Sequence, residues 1–177
     1  MEHQQYQKRR VASIRVEPYL AQYARRKFKA DPRTGGIIIP DSFDLYHCVW
    51  QLMEKRPRGV GDAPDANLTI YLPFRRSDDG TLQKNPAYWN YLSPRHVRQV
   101  ERALRRLFNW EYHYWMEDNE LSPRPVQAKQ RMRDFMRRYG IGIDSEDALL
   151  KNWQRHKRAM SVFLNLGGGK NRKKRKI

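Results

Sequence analysis

Four polar side chains near the carboxyl-terminal end of the chain are spaced to share one face of a helix. They are Lys151, Gln154, Arg155 and Arg158. The opposite side of the same segment is apolar, with Leu149, Leu150, Trp153 and Met160. An Arg side chain can form two hydrogen bonds with guanine, and a Gln side chain can do so with adenine. The spacing therefore predicts an amphipathic helix whose polar face contacts nucleic acid.

A second basic helix is predicted immediately before it, over residues 126–139. Its apolar positions recur every three or four residues: Ala128, Met132, Phe135, Met136 and Tyr139. Its cations fall largely on the other faces: Lys129, Arg131, Arg133, Arg137 and Arg138. Gly140 stands where such a helix ends in a left-handed residue, and Asp144 or Ser145 is expected to cap the next helix.

Two short basic helices that meet at a glycine resemble a helix-turn-helix motif over residues 126–158. The resemblance implies that the second helix enters the major groove of DNA. The turn is longer than the usual three or four residues, and Met136 stands where that motif has a small residue. The alternative is an ordinary helical hairpin whose basic outer faces are only solvated.

A third basic helix is predicted from Ser93 and Pro94, a typical helix start, to about Met116. Its apolar face is Val97, Val100, Leu104, Leu107, Phe108 and Trp115. Its opposite face is a run of arginines: Arg95, Arg98, Arg102, Arg105 and Arg106. A face that served only solubility would mix in acidic residues, so this run predicts contacts with phosphate. Plain solvation is the alternative.

Four aromatic residues follow the arginines in the same predicted helix: Trp110, Tyr112, Tyr114 and Trp115. Aromatic residues at helical spacing usually pack, so they are expected to seat the helix on its neighbours. Stacking on nucleic-acid bases is the alternative.

The last eleven residues, 167–177, are predicted to be a flexible glycine linker followed by a cationic tail. Six of the seven residues in 170–176 are basic: Lys170, Arg172, Lys173, Lys174, Arg175 and Lys176. Such a tail can bind phosphates without folding. In a eukaryotic source the alternative is a nuclear import signal.

Metal and catalytic motifs are not found in the sequence. The five His residues and the single Cys48 are too scattered for metal-site spacing, and one cysteine cannot form an internal disulfide. Phosphate-binding loops and nucleophile elbows are absent. The nearest approach to nuclease carboxylates, at Asp41, Asp44 and Glu54, is typical of cap and surface positions. We therefore expect no enzymatic activity, no cofactor and no metal.

Charge points to the class of partner. The chain has 177 residues with a formal net charge of +17 and a pI of about 10.3, which favours polyanionic partners. Residues 1–92 carry 15 Lys and Arg against 10 Asp and Glu, a net +5, and residues 93–177 carry 21 against 9, a net +12. No run of residues is apolar enough to span a membrane and the first residues do not resemble a signal peptide, so a cytoplasmic protein is expected.

The amino-terminal half is predicted to alternate between short strands and helices. Strands are predicted at residues 11–16, 37–39 and 67–72 from their β-branched residues. Helices are predicted at residues 19–29 and from Asp41 or Ser42, as the cap, to about Glu54. The predicted fold class is α+β: a small sheet-and-helix lobe at 1–92, a helical basic lobe at 93–166 and the tail at 167–177.

Two stretches, residues 90–94 and 145–151, are similar to segments of small uncharacterised basic proteins of bacterial prophages and integrative elements. The resemblance implies a role in a mobile element. The expected function is non-enzymatic binding of nucleic acid, with double-stranded DNA preferred and RNA as a second possibility. The alternative is a structural protein of ribosomal or virion type that is associated with RNA or a packaged genome.

Overall fold

The computed structural model describes residues 10–32, 35–72, 88–124 and 126–167. The predicted tail beyond residue 167 lies outside the described residues. The described chain combines a small sheet with a helical layer, so the α+β prediction is confirmed.

The main sheet has four strands in the order β1-β5-β3-β2. They are β1 (Arg10–Ile14), β2 (Lys29–Ala30), β3 (Ile37–Ile38) and β5 (Leu68–Leu72). β5 pairs antiparallel with β1 and parallel with β3, while β2 and β3 are antiparallel. The three predicted strands are confirmed, with shorter bounds. The strands that the sequence did not predict are β2 and a separate antiparallel pair, β4 (Glu54–Lys55) with β6 (Trp89–Tyr91).

Two helices accompany the main sheet: α1 (Pro18–Lys27) and α2 (Asp44–Leu52). α1 starts at a proline, whose missing N–H costs nothing in the first turn. The predicted cap of α2 at Asp41 or Ser42 is wrong, because Phe43 occupies the N-cap position without a side-chain cap. The Phe43 ring meets that of Phe28 edge-on, with ring centres 5.3 Å apart, so the residue at the N-cap position is packed rather than hydrogen-bonded through its side chain.

Three helices form the second part: α3 (Pro94–Glu120), α4 (Ala128–Tyr139) and α5 (Glu146–Gly167). The predicted start of α3 after Ser93 is confirmed, and the helix extends one turn beyond the predicted end. α4 returns antiparallel to α3, since Asn119 bonds to Val126 near one end and Glu111 bonds to Tyr139 near the other. α5 runs in the same direction as α3, since its later residues meet later residues of α3.

The hydrophobic core crosses the predicted boundary at residue 92. Ile14 and Ile70 of the sheet belong to the same buried cluster as Phe108 of α3 and Phe135 of α4. Tyr23 of α1 joins the two parts, because its ring meets that of Phe108 edge-on at 5.1 Å. The α3 helix is therefore packed on both sides, by the amino-terminal elements and by its own helical neighbours. The division of the chain into lobes at 1–92 and 93–166 stays a prediction.

Candidate nucleic-acid interface

The corner between α4 and α5 begins at Gly140, as predicted. Gly140 has a φ of 63°, a left-handed conformation that glycine adopts without strain. The N–H of Ile141 donates to the carbonyl of Met136 at 2.9 Å, which satisfies one of the last carbonyls of α4. Residues 140–145 form the turn. Its last three residues are a short 3₁₀ helix, Ile143–Ser145, so Asp144 and Ser145 lie inside helical structure rather than ahead of it.

The first residue of α5 fixes that helix to α4. The carboxylate of Glu146 accepts two hydrogen bonds of 3.0 Å from Arg133 and lies 3.1 Å from the ammonium of Lys129. The hydrogen bonds from Arg133 and then Lys129 lower the pKa of Glu146. This acidic side chain is therefore turned towards α4 and its charge is offset by two cations. Its repulsion of a polyanion at the start of α5 is therefore weakened.

The predicted polar face of α5 is exposed along its whole length: Lys151, Gln154, Arg155 and Arg158. Leu149 and Trp153 lie on the other side and are buried, as predicted. Among the described residues, none of the three cations of this face forms an ion pair. The face is therefore available to a partner.

Met160 was predicted to belong to the buried side of α5, and that prediction is wrong. It is 43% exposed, and Val162 and Phe163 after it are more exposed still. α3 ends at Glu120, whose carboxylate lies 2.8 Å from the ammonium of Lys157. α5 continues past this point, so apolar residues beyond Lys157 have no part of α3 to pack on.

The two predicted contact residues of α4 have different surroundings. Arg137 is exposed and forms an ion pair with Asp134 on its own helix. The guanidinium of Arg138 lies 5.5 Å from the centre of the Trp115 ring, a cation–π distance, and its residue is exposed. Arg138 thus keeps its charge at the surface, whereas the charge of Arg137 is partly offset.

The arginine face of α3 divides into two sets. Arg98, Arg102 and Arg106 are exposed, as is Arg95, and none of them forms an ion pair with any described residue. Arg105 differs, because its guanidinium lies 2.9 Å from Glu17 and 2.6 Å from Glu101. Arg105 therefore joins α3 to the start of α1, and its charge is already neutralised.

The aromatic residues of α3 also divide. Tyr112 is buried and donates to the carbonyl of Leu149, and Trp115 is half-buried and donates to the carbonyl of Arg131. These two seat the helix, as expected. Trp110 and Tyr114 do not, since they are 67% and 62% exposed. Their rings are nearly parallel, at 12°, with centres 5.9 Å apart.

The described part of the chain contains neither a cluster of metal ligands nor a helix that could span a membrane. Among the described residues, no three His, Cys, Asp or Glu side chains come close enough together to hold a metal ion. Each helix in the same ranges is too short or too polar to cross a bilayer. The six basic residues predicted in 170–176 lie outside the described residues.

Comparison of the chain with protein-family models, with curated proteins and with solved structures finds no match.

Proposed function

We propose that this protein binds nucleic acid, with double-stranded DNA as the preferred partner, and that it does so without catalysing a reaction. The observation that carries the proposal is the exposed set Arg98, Arg102 and Arg106 on α3, which has no ion pair within the described chain. A charge-assisted contact with phosphate is what such side chains form most readily.

The distribution of acidic residues supports this interpretation. Glu17 and Glu101 neutralise Arg105, Glu146 neutralises part of α4, and Glu120 offsets Lys157. These acids lie at contacts within or between helices. Other outward cations form no ion pair with a described residue: Arg98, Arg102 and Arg106 on α3, and Lys151, Arg155 and Arg158 on α5. They keep the positive charge that attracts a polyanion.

α5 is the better candidate for reading sequence. It is a long helix, its first residue is held by α4, and its exposed face carries both Arg155 and Gln154. A rigid helix in the major groove can direct such side chains at base edges. We propose a regulatory or accessory role in a mobile element and a cytoplasmic location. The rival is a structural protein associated with RNA or a packaged genome.

A salt titration tests the proposal. The affinity of the full chain is measured for duplex DNA, single-stranded DNA and structured RNA over a range of salt. Duplex DNA should bind best and show a steep loss of affinity with salt. Replacing Arg98, Arg102 and Arg106 with Ala removes three phosphate contacts, so the slope of log K against log salt should fall by roughly 2 to 3.

A charge-matched variant is the control for that titration. Lys55, Arg58 and Arg124 are exposed cations outside α3 and α5, and replacing them with Ala removes the same charge. The control should keep the slope of the wild-type protein. Equal slopes for both variants would mean that α3 carries only a solvated face. Preferred binding of structured RNA would favour the rival function.

Selection from random duplexes tests sequence reading. Arg155→Ala should relax the preference at one position of the selected site, at about 1 to 3 kcal/mol of discrimination. Arg102→Ala should weaken all duplexes alike. If the wild-type protein selects no sequence, or Arg155→Ala weakens every duplex equally, α5 holds phosphates without reading bases.

A further inference from the structure

Burial along α3 repeats every four residues. Val100, Leu104, Phe108, Tyr112 and Met116 are all buried. The residues two positions further on are all exposed: Arg102, Arg106, Trp110, Tyr114 and Asp118. An i, i+4 row on a helix is a continuous ridge inclined to the axis, with neighbouring side chains in reach of one another. The exposed arginines and the exposed aromatic pair therefore belong to one ridge, which begins at Arg98.

From this ridge we infer a second nucleic-acid site, one for a single-stranded segment with unpaired bases. Arg98, Arg102 and Arg106 would hold successive phosphates, and Trp110 and Tyr114 would stack on bases. The inference rests on the proposed function, because it assigns a further form of the same polymer to a surface that shares Arg98, Arg102 and Arg106 with the proposed duplex contacts. A duplex read by α5 does not present the faces of its bases for stacking.

The aromatic pair has the character of a stacking platform. Large aromatic side chains rarely stay exposed next to each other without a partner. Trp110 and Tyr114 are nearly parallel, so the outer face of the pair can take a flat ring in the same orientation. Stacking of bases on aromatic side chains is tolerant of sequence, which matches a ridge that otherwise offers only guanidinium groups.

The charge along the ridge favours nucleic acid over a protein partner. Aromatic and Arg side chains are also frequent in protein interfaces. From Arg98 to Tyr114 the ridge contains no acidic residue. The first acid, Asp118, is next in the row and lies 3.2 Å from the guanidinium of Arg131. The ridge thus has a cationic end at Arg98 and an aromatic end at Tyr114, and the next residue of the row is acidic.

The length of the ridge sets the size of the ligand. Arg98 and Tyr114 are sixteen residues apart, which is about 24 Å along a helix. Single-strand sites begin at about 4 nucleotides. The ridge therefore fits one short unpaired stretch, such as an end, a loop or a melted region.

The experiment measures affinity for three ligands of equal length: a thymidine oligomer, an abasic oligomer with the same phosphates, and a duplex. The full chain is compared with the double variant Trp110→Ala, Tyr114→Ala. The wild-type protein should bind the thymidine oligomer about tenfold or more tighter than the abasic one. The double variant should lose that difference and should bind the duplex as before. A uridine oligomer shows whether RNA is accepted as well as DNA.

Two further variants separate stacking from charge. Trp110→Phe keeps a flat ring and should retain most of the preference for bases. Arg102→Ala should weaken the thymidine and abasic oligomers equally. Both aromatic positions are exposed, so an unchanged melting temperature confirms that the variants fold.

Each outcome bears on the site in a defined way. If the double variant keeps its preference for bases, or loses duplex binding to the same extent, the ridge is not a stacking site. In that case duplex binding by the wild-type protein still supports the proposed function. If the wild-type protein binds none of the ligands, both the proposed function and the single-strand site are overturned.

Discussion

Replacing Glu111 with Leu should destabilise the whole fold, because one carboxylate joins three helices. Glu111 of α3 accepts hydrogen bonds from the hydroxyl of Tyr23 on α1, at 2.5 Å, and from the hydroxyl of Tyr139 on α4. Its second contact with α1 is the ammonium of Lys27, at 2.9 Å. Tyr23 is completely buried and Tyr139 is nearly so. Both hydroxyls lose their acceptor if the carboxylate is removed.

The expected loss of stability comes mainly from those two hydroxyls. A buried donor left without an acceptor costs about 1 to 3 kcal/mol, so two of them cost about 2 to 6 kcal/mol. Lys27 is partly exposed and can be hydrated, so its lost ion pair adds little. For a chain of this size each kcal/mol lowers the melting temperature by roughly 2 to 4 °C. Glu111→Leu should therefore melt roughly 5 to 20 °C lower than the wild-type protein at pH 7.

Acid should reduce the difference between the two proteins. Burial raises the pKa of Glu111, but the hydrogen bonds from Tyr139, Tyr23 and Lys27 outweigh it and leave the pKa below its ordinary value of 4.5. A carboxylate with a lowered pKa in the fold stabilises the protein above pH 4.5, and that contribution is lost as the pH falls through the folded value. The gap in melting temperature should therefore shrink as the pH is lowered from 7 towards 3.

Glu120→Leu is the control for this series. Glu120 is also on α3, but it is exposed and has one ion pair, with Lys157, so its loss should cost less than about 1 kcal/mol. The measurement is thermal unfolding followed by circular dichroism for the three proteins. The assignment of Glu111 as the junction of α1, α3 and α4 fails if Glu111→Leu melts with the control at pH 7. It also fails if the gap is the same at pH 3.

Three other predictions concern the contact between α3 and α5, the apolar side of α5 and the tail. The ring of His113 stacks on that of His156 with centres 3.8 Å apart, and burial lowers the pKa of His113. The stabilising effect of His113 is therefore complete above about pH 6.5 and decreases as the pH falls. Between pH 7.5 and 5.5 the melting temperature of His113→Gln should fall less than that of the wild-type protein. Trp153→Ala should destabilise the protein by about 3 to 5 kcal/mol in urea unfolding, whereas Met160→Ala should change little because Met160 is exposed. Removing residues 167–177 should weaken binding to all polymers alike and lower the salt slope without changing the melting temperature; lost cooperative melting would contradict the linker prediction.

Periodicity in the sequence was sufficient to predict the longer elements. Ser93 and Pro94 marked the start of α3, and Gly140 marked the end of α4, because both positions have a local chemical requirement. The strands β2 and β4 could not be predicted in this way. Each is a pair of residues containing a lysine, and such short strands form because a partner strand lies beside them.

Cap residues were predicted less well than helix ends. Asp41, Ser42 and Asp144 all have side chains that suit an N-cap. The structure starts α2 after Phe43 and precedes α5 with a 3₁₀ turn that contains Asp144. In the first case the residue at the N-cap position carries an aromatic ring that packs on Phe28. In the second, the side chain that secures the helix is Glu146, and its partners on α4 are thirteen or more residues away in the sequence.

The exposed aromatic pair shows where reasoning from an isolated helix fails. A helical wheel places Trp110 and Tyr114 among aromatic neighbours and favours packing for all of them. In the fold, α1, α2, α4 and α5 pack around α3, and the buried row steps by four residues instead of following a straight stripe. The exposed row must then step by four as well, and this joins Arg106 to Trp110. The same packing that builds the core of this protein therefore also lines up the cations and the aromatic rings on its surface.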